Sequence, residues 1–297
     1  MENIILENVL KVFQQVGLHY TCETDIITLL SYAMLFTSLP TLFALTCGRL
    51  SAPYGKYATD KLANYFGFMV NGQIAWVIQE LPSFAISLYL WFTCASIESI
   101  KTEKTQTYLS LNAINQRTVL LSLYLLHYTN RTFIFPLRIR GGKPTPFGIM
   151  MMAFSFCLWN GYIQGRSLTL PVTSSTEALF LQDVLSPRFV IGVFLFFVGM
   201  NINMHADNVL RNLRKPGETG YKIPRGGAFE YVSGANFFGE IIEWIGFAIA
   251  AWSLPAFAFA VFTACNIGPR ALAHHSWYLE RFKDYPKSRK ALIPFIL

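Results

Sequence analysis

Several side chains in this sequence can do chemistry that their apolar surroundings make costly. Asn203 and Asp207 stand four residues apart, as do Asn236 and Glu240, and Arg270, His274 and Tyr278 follow at two such steps. Residues four apart share one helix face, so three helices each present a polar stripe. An ionisable group inside an apolar bundle is expensive and marks a working site. Converging stripes would form one water-accessible pocket. Snorkelling at a span end accounts for any single residue but poorly for three stripes together. Glu80 and Tyr128 make a further pair. A carboxylate beside a phenol can hold it by a hydrogen bond and aim its O–H at a substrate oxygen, an electrophilic or general-acid arrangement. A Glu satisfied by a helix N-terminus or by Arg131 is the structural alternative.

The stretch from His205 to Asn236 combines Arg211, Arg214, Lys215, Lys222 and Arg225 with Tyr221, Tyr231 and paired glycines. Guanidinium forks suit phosphate and aromatic faces suit a stacked base, so this segment reads as a loop covering a nucleotide. Positive charge alone would explain its basic residues but not its Gly, Tyr and Asn content. Other motifs are missing: there is no G-x-G-x-x-G, Walker A, H-E-x-x-H or G-x-S-x-G. His274-His275 has no Cys or acidic partner at metal spacing, and no metal is expected. The five cysteines (Cys22, Cys47, Cys94, Cys157, Cys265) are scattered. They read as mostly buried thiols, not as a disulfide framework or zinc site.

The elements that must position these groups are membrane helices. Of 297 residues, 53% are hydrophobic and only 14% charged, against roughly 25% charged in soluble domains. Mean hydropathy is +0.37. Disorder is excluded, as are collagen-like and repeat architectures. A span needs about 20 apolar residues. Seven are expected: 26–47, 76–95, 119–137, 147–163, 189–204, 241–252 and one from Pro255 to about Ile267. The last two divide at Ser253-Leu254-Pro255, because proline starts helices well and sits badly inside them. With this count, 17 of the 24 Lys and Arg fall on one side and six on the other, leaving Arg131 within the third span. That asymmetry places the C-terminus in the cytoplasm. It accounts for most of the net charge of +7, so nucleic acid is not an expected partner. Residues 1–24 carry Ile5, Val9, Val12, Phe13 and Val16 at helical spacing and read as an N-terminal extension forming an interfacial helix. Residues 25–297 then form the membrane domain. The fold class is an all-α integral membrane protein, a seven-transmembrane helix bundle with a cytoplasmic nucleotide-covering loop.

At these residues the chain resembles the steroid 5α-reductase family (3-oxo-5α-steroid 4-dehydrogenases). The resemblance lies in Trp76–Phe84, Leu126–Phe133, Asn160-Gly161 with Gln164-Gly165, and nearly all of Phe189–Leu297. Leu213–Gly217, Tyr231–Phe237, Gly239–Trp244 and Asp284–Phe295 are its densest parts. It implies an NADPH-dependent enzyme of the endoplasmic reticulum membrane acting on a hydrophobic steroid, with no obligate protein partner evident. It implies that Glu80 and Tyr128 are catalytic and that Gln79 and Trp76 line the substrate site. It also implies that Asn203, Asp207, Arg214, Tyr221, Asn236, Glu240, Arg270, His274 and Tyr278 hold NADPH. One departure bears on the cofactor: where the family often has Arg-Gly-Arg-Pro, this chain has Arg140-Gly141-Gly142-Lys143-Pro144, so a Lys143 contact to the cofactor phosphate is in question. The activity implied is reduction of the Δ4 bond of a 3-oxo-4-ene steroid. Rival readings are a reductase of an enoyl thioester or polyprenol on the same scaffold, a membrane methyltransferase, and a non-enzymatic lipid-binding protein.

Overall fold

The computed structural model describes residues 23–47, 65–100, 114–139, 143–170, 183–214, 218 and 220–297. Residues 1–22, which hold the expected interfacial helix, and Arg140–Gly142 lie outside the described residues. The described chain is almost entirely helical: α1 (Glu23–Thr46), α2 (Gly72–Ile100), α3 (Gln116–Thr129), a π turn (Asn130–Ile134), α4 (Phe135–Arg138), α5 (Phe147–Thr169), α6 (Pro187–Asn212), a 3-10 turn (Gly227–Glu230), α7 (Ala235–Ala251) and α8 (Leu254–Arg281). A two-stranded antiparallel ribbon, β1 (Met69–Val70) on β2 (Thr145–Pro146), ties the entries of α2 and α5 together. Four helices, α1, the 72–93 part of α2, α6 and α8, are long and apolar enough to cross a membrane.

The break between α7 and α8 falls where the sequence places it. Trp252 closes α7 in the left-handed conformation (φ 49°) and Ser253 precedes Pro255 in the first turn of α8. The third expected span is one helical run from Gln116 to Arg138 with a π turn inside it. Pro136 lacks an N–H and its ring would strike the carbonyl four residues back. The backbone widens just before it, and Phe135 N–H donates to Asn130. The start of that run is fixed by a capping box, Asn115 with Thr118.

Other sequence-based boundaries move. α6 continues to Asn212, so His205 and Asp207, read as the opening of the covering loop, are helical. α1 begins at Glu23, inside the expected extension. Glu23 explains why, because its carboxylate accepts Arg166 Nε at 2.5 Å, Arg166 Nη2 at 2.7 Å and Tyr162 Oη at 3.2 Å from α5. Of the three cysteines described, Cys157 alone is buried; Cys265 is half-buried and Cys47, just past α1, is exposed.

Two helix pairs are held backbone to backbone. Without a hydrophobic drive between helices in lipid, small residues let them close up. On α6 and α7 the contact is glycine on both sides. A Cβ at Gly199 would lie 2.2 Å from Glu243 N and 2.5 Å from Gly239 O; one at Gly239, 2.4 Å from Asn203 N; one at Gly246, 2.4 Å from Phe196 N. α5 meets α2 the same way, Gly161 and Gly165 facing Ser83 and Ser87. Ser83 Oγ donates across that contact to Cys157 O at 2.8 Å. At the opposite end of the α6–α7 pair, Arg188 donates to Ile249 O and Ala250 O and reaches Gln116 of α3 at 2.7 Å. The aromatic core gathers around buried Trp244, whose ring lies 4.4 Å from Phe259, 4.5 Å from His127 and 5.6 Å from Phe247.

Candidate active site

Tyr128 comes two residues before the π turn, and such turns recur at functional sites. Its ring is buried against Tyr124 and His127. Its Oη accepts from Asn160 Nδ2 at 3.2 Å, and the same amide donates to Tyr124 Oη at 3.1 Å. Glu80 approaches from α2. Its Oε1 accepts from Gln79 Nε2 at 3.5 Å and its Oε2 faces the Cys157 thiol at 3.7 Å. The two expected partners do not hydrogen-bond each other. They meet across one face of α5, Glu80 on Cys157 and Tyr128 on Asn160 three residues later. The close α2–α5 packing leaves α5 side chains, not a direct carboxylate–phenol bond, to join them.

Arg131, at the second position of the π turn, organises the charges. Its Nη1 lies 3.6 Å from Asp207 Oδ2, and its guanidinium sits 4.8 Å from the ring centres of Trp76 and Phe135. Glu240, Glu80, Asp207 and Glu243 are all within its electrostatic reach. Trp76 is thereby fixed next to the Glu80 region, and its buried Nε1 has no hydrogen-bond partner among the described residues. Asn203 Nδ2 donates to Asn236 O at 3.0 Å and reaches Glu240 Oε2 at 3.5 Å, so the stripes of α6 and α7 meet as the four-residue spacing predicts.

Asn236 also lines a separate cavity of about 180 Å³, together with Arg214, Tyr221, Lys222, His274 and Tyr278. Tyr221 packs edge-on to Trp277 at 4.8 Å and His274 lies 5.4 Å from Phe237. Ser233, which also lines this cavity, is held in place by residues far along the chain. Residues 231–234 pair with the C-terminal tail: Lys290 N–H donates to Tyr231 O, Ser233 N–H to Lys290 O and Gly234 N–H to Ala291 O, each at 2.9 Å. Arg289, 1% exposed, donates to Pro224 O at 2.9 Å, lies 3.7 Å from Glu230 and stacks on Tyr285. Ser233 Oγ joins His275 Nδ1 (2.6 Å) to Tyr285 Oη (2.7 Å).

Known proteins are similar to this chain in sequence. A sequence profile described as 3-oxo-5-alpha-steroid 4-dehydrogenase matches residues 143–297. The chain is 47% identical over 277 residues to the Rattus norvegicus protein named 3-oxo-5-alpha-steroid 4-dehydrogenase 1, covering 93% of this chain and 96% of that one. It is 48% identical over 248 residues to the Homo sapiens protein of that name, covering 82% and 85%. To the Homo sapiens 3-oxo-5-alpha-steroid 4-dehydrogenase 2 it is 50% identical over 222 residues, covering 75% and 80%. The chain belongs to the 3-oxo-5-alpha-steroid 4-dehydrogenase family.

Within this member of the dehydrogenase family, the residues singled out from sequence fall into two groups. Trp76, Glu80, Asp207 and Glu240 gather around Arg131, with Gln79 bonded to Glu80, Asn203 to Asn236 and Glu240, and Tyr128 to Asn160 on α5. Arg214, Tyr221, His274 and Tyr278 surround the outer cavity, and Asn236 belongs to both. Arg270 turns back along its own helix, where its Nη2 donates to Asn266 Oδ1 at 2.8 Å. Lys143 is exposed. Sequence reasoning gave no role to Asn160, Gln164 or Arg289. Asn160 and Gln164 carried a usable signal, a polar pair four residues apart in an apolar span. Arg289 carried none, because its partners Pro224 and Glu230 are about 60 residues away in the chain.

Proposed function

We propose that this protein is an NADPH-dependent reductase of the Δ4 double bond of 3-oxo-4-ene steroids, yielding 5α-3-oxosteroids, in the endoplasmic reticulum membrane. In this reading it is a seven-span bundle with its C-terminus in the cytoplasm. The names of the relatives supply the substrate class. The observation that carries the reading is the continuity at Asn236. The residue lines the outer cavity, while its carbonyl is bonded to Asn203 next to Glu240, and so leads inward to Arg131 and Glu80.

The donor set of the outer cavity fits an anionic nucleotide. Arg214 and Lys222 offer charge, Asn236 and His274 offer hydrogen bonds, and Tyr221 and Tyr278 offer flat faces. At about 180 Å³ it takes one end of a dinucleotide, and the polar α6–α7 stripe takes the rest. When bound, NADPH supplies a hydride. The chain's own residues do the remainder. Negative charge grows on the steroid C3 oxygen as C5 is reduced. Tyr128 donates its hydroxyl proton to that oxygen in a hydrogen bond, and Glu80 in its protonated form donates a second. Both bonds strengthen as the enolate develops, which is the arrangement that lowers a barrier, and protonation of the enolate at C4 then restores the 3-ketone. Trp76, stacked by Arg131, offers its unpartnered indole N–H and its face to the steroid. The dry aromatic interior around Trp244 excludes water from the reacting atoms.

Purified protein incubated with NADPH and a panel of 3-oxo-4-ene steroids, enoyl-CoAs and polyprenols tests the reading by mass spectrometry. The 5α-dihydrosteroid is the expected product. Reduction confined to the enoyl thioesters or polyprenols overturns the substrate assignment, and activity with NADH alone overturns the cofactor.

A further inference from the structure

Asn160 and Gln164 stand one turn apart on α5 and are 0% and 1% exposed. We propose that they form a directional hydrogen-bond chain that fixes where the Tyr128 hydroxyl proton points, with Asn160 as the positioning residue and Gln164 setting Asn160's own orientation. The proposal rests on the reading of Tyr128 as the donor to the steroid oxygen.

The direction of the chain follows from its far end. Gln164 Nε2 donates to Pro255 O at 2.8 Å and to Asn160 Oδ1 at 3.3 Å. A backbone carbonyl only accepts, so the amide nitrogen of Gln164 must face Pro255. The same nitrogen then faces Asn160, which must answer with its oxygen. Asn160 therefore turns its NH2 group to the two phenols, giving one N–H to Tyr124 at 3.1 Å and one to Tyr128 at 3.2 Å. Turning Asn160 over would set donor against donor at Gln164. Turning Gln164 as well would set oxygen against oxygen at Pro255. Each flip leaves buried polar atoms unsatisfied where no water can repair them.

A phenol has one proton to give. Because Asn160 donates to Tyr128 Oη, that proton cannot be spent on Asn160. Ser83 is held in the complementary role. Its own proton goes to Cys157 O at 2.8 Å, so towards the neighbouring phenols it can only accept. A phenol proton rests on Ser83 until an arriving oxygen takes it, and Asn160, itself a donor, does not compete for it. An incoming ketone meets a donor, not a lone pair. The arrangement also explains a buried carboxamide pair inside an apolar bundle, where Leu side chains would pack at lower cost.

The test is Asn160→Asp, which keeps the shape and replaces both donors by an acceptor. Tyr128 then turns its proton to Asp and away from the steroid. Turnover is expected to fall by about 10²-fold, the scale of losing one oxyanion donor, with steroid KM and NADPH affinity changed less than about threefold. Asn160→Leu, which donates and accepts nothing, should lose less turnover than Asn160→Asp, whereas a packing role predicts the milder effect for the isosteric Asp. The double mutant with Tyr128→Phe separates the positioning role from the catalytic one. If Tyr128→Phe is impaired and Asn160→Asp then costs less than about twofold more, Asn160 acts through Tyr128. If the two losses multiply in full, or Asn160→Asp turns over at the wild-type rate, the positioning role is wrong and the Tyr128 reading stands. If Tyr128→Phe itself turns over at the wild-type rate, the Tyr128 reading has failed and this proposal with it. Should Asn160→Asp not fold, Asn160→Leu enters the same cycle with the same expectation of non-additivity.

Discussion

His127 Nδ1 lies 2.7 Å from Glu243 Oε1, and the two residues are 4% and 0% exposed. The pair joins α3 to α7 directly behind Tyr128, with the His127 ring edge-on to both Tyr128 and Trp244. The second carboxylate oxygen, Oε2, is buried and has no hydrogen-bond partner among the described residues. Among the described residues this is the one side-chain hydrogen bond of either residue, so each depends on the other.

Glu243→Ala should accordingly destabilise the fold by about 3–5 kcal/mol, the cost of leaving one partner of a buried pair alone. Glu243→Gln keeps a hydrogen bond to His127 and should lose much less. Thermal unfolding of the two variants in the same detergent distinguishes them; equal melting temperatures would show that the contact contributes nothing.

Gly199→Ala should separate α6 from α7, because the new Cβ would stand 2.2 Å from Glu243 N and 2.5 Å from Gly239 O, both backbone atoms that cannot rotate away. Overpacking costs about 1–3 kcal/mol, and here it also pulls Asn203 from Asn236. Weaker NADPH binding should accompany the lower melting temperature. Gly268→Ala is the control, its nearest neighbour being Leu292 Cδ2 at 3.6 Å, and both quantities should stay at the wild-type level.

Arg214→Ala should weaken NADPH binding about ten- to a hundredfold, one charge-assisted hydrogen bond at roughly 1.5–3 kcal/mol, with little change in melting temperature because the residue is exposed. Fluorescence titration of the folded variant gives the answer, and an unchanged affinity removes this side chain from the nucleotide site.

Arg289→Met keeps the bulk of the side chain and removes its donors from Pro224 O and Glu230. The residues around the outer cavity should loosen while the interior around Tyr128 stays intact. The expected signature is a raised KM for NADPH, faster proteolysis near residue 224 and near-normal turnover at saturating cofactor. Lost turnover at saturating cofactor would place Arg289 in a different role.

In the seven-span reading a C-terminal tag should be digested by protease added to sealed microsomes. Protection of that tag reverses the orientation drawn from the Lys and Arg distribution.

The parts of this architecture legible in the sequence are those written in local patterns. Ser253-Leu254-Pro255 marks the α7–α8 break because proline acts within one turn of itself. The Asn203/Asp207 and Asn236/Glu240 spacings place each pair on one face of its own helix because four residues make nearly one turn. What local patterns do not encode is who faces whom. Gly199 and Gly239 become informative only once their helices are paired. Arg289 and residues 290–291 bind the segment from Pro224 to Gly234, a pairing without periodicity. Glu80 and Tyr128 are identifiable as a pair, but what joins them is not: Cys157 reads as a buried thiol, and Asn160 as one of a polar pair with no stated partner, until α5 is seen between them. The π turn is hidden too. Its cause, Pro136, is visible in sequence, yet proline predicts only a disturbance and not its form.

A ribosome delivers α7 before α8, and the two-residue turn at Trp252-Ser253 leaves no slack between them. α7 has 17 residues, about 26 Å at 1.5 Å per residue, short of a hydrocarbon core of roughly 30 Å, and it carries Glu240 and Glu243. Alone it is a poor substrate for membrane insertion. In the seven-span reading it enters tied to the 28-residue α8, as one half of a helical hairpin. Its carboxylates are then spared exposure to lipid if α6 and Arg131 are already in place to receive them. The order of synthesis thus matches the order of need: the arginine and the glycine-lined groove of α6 are made first, and the acidic helix that fits them arrives later, carried in by its successor.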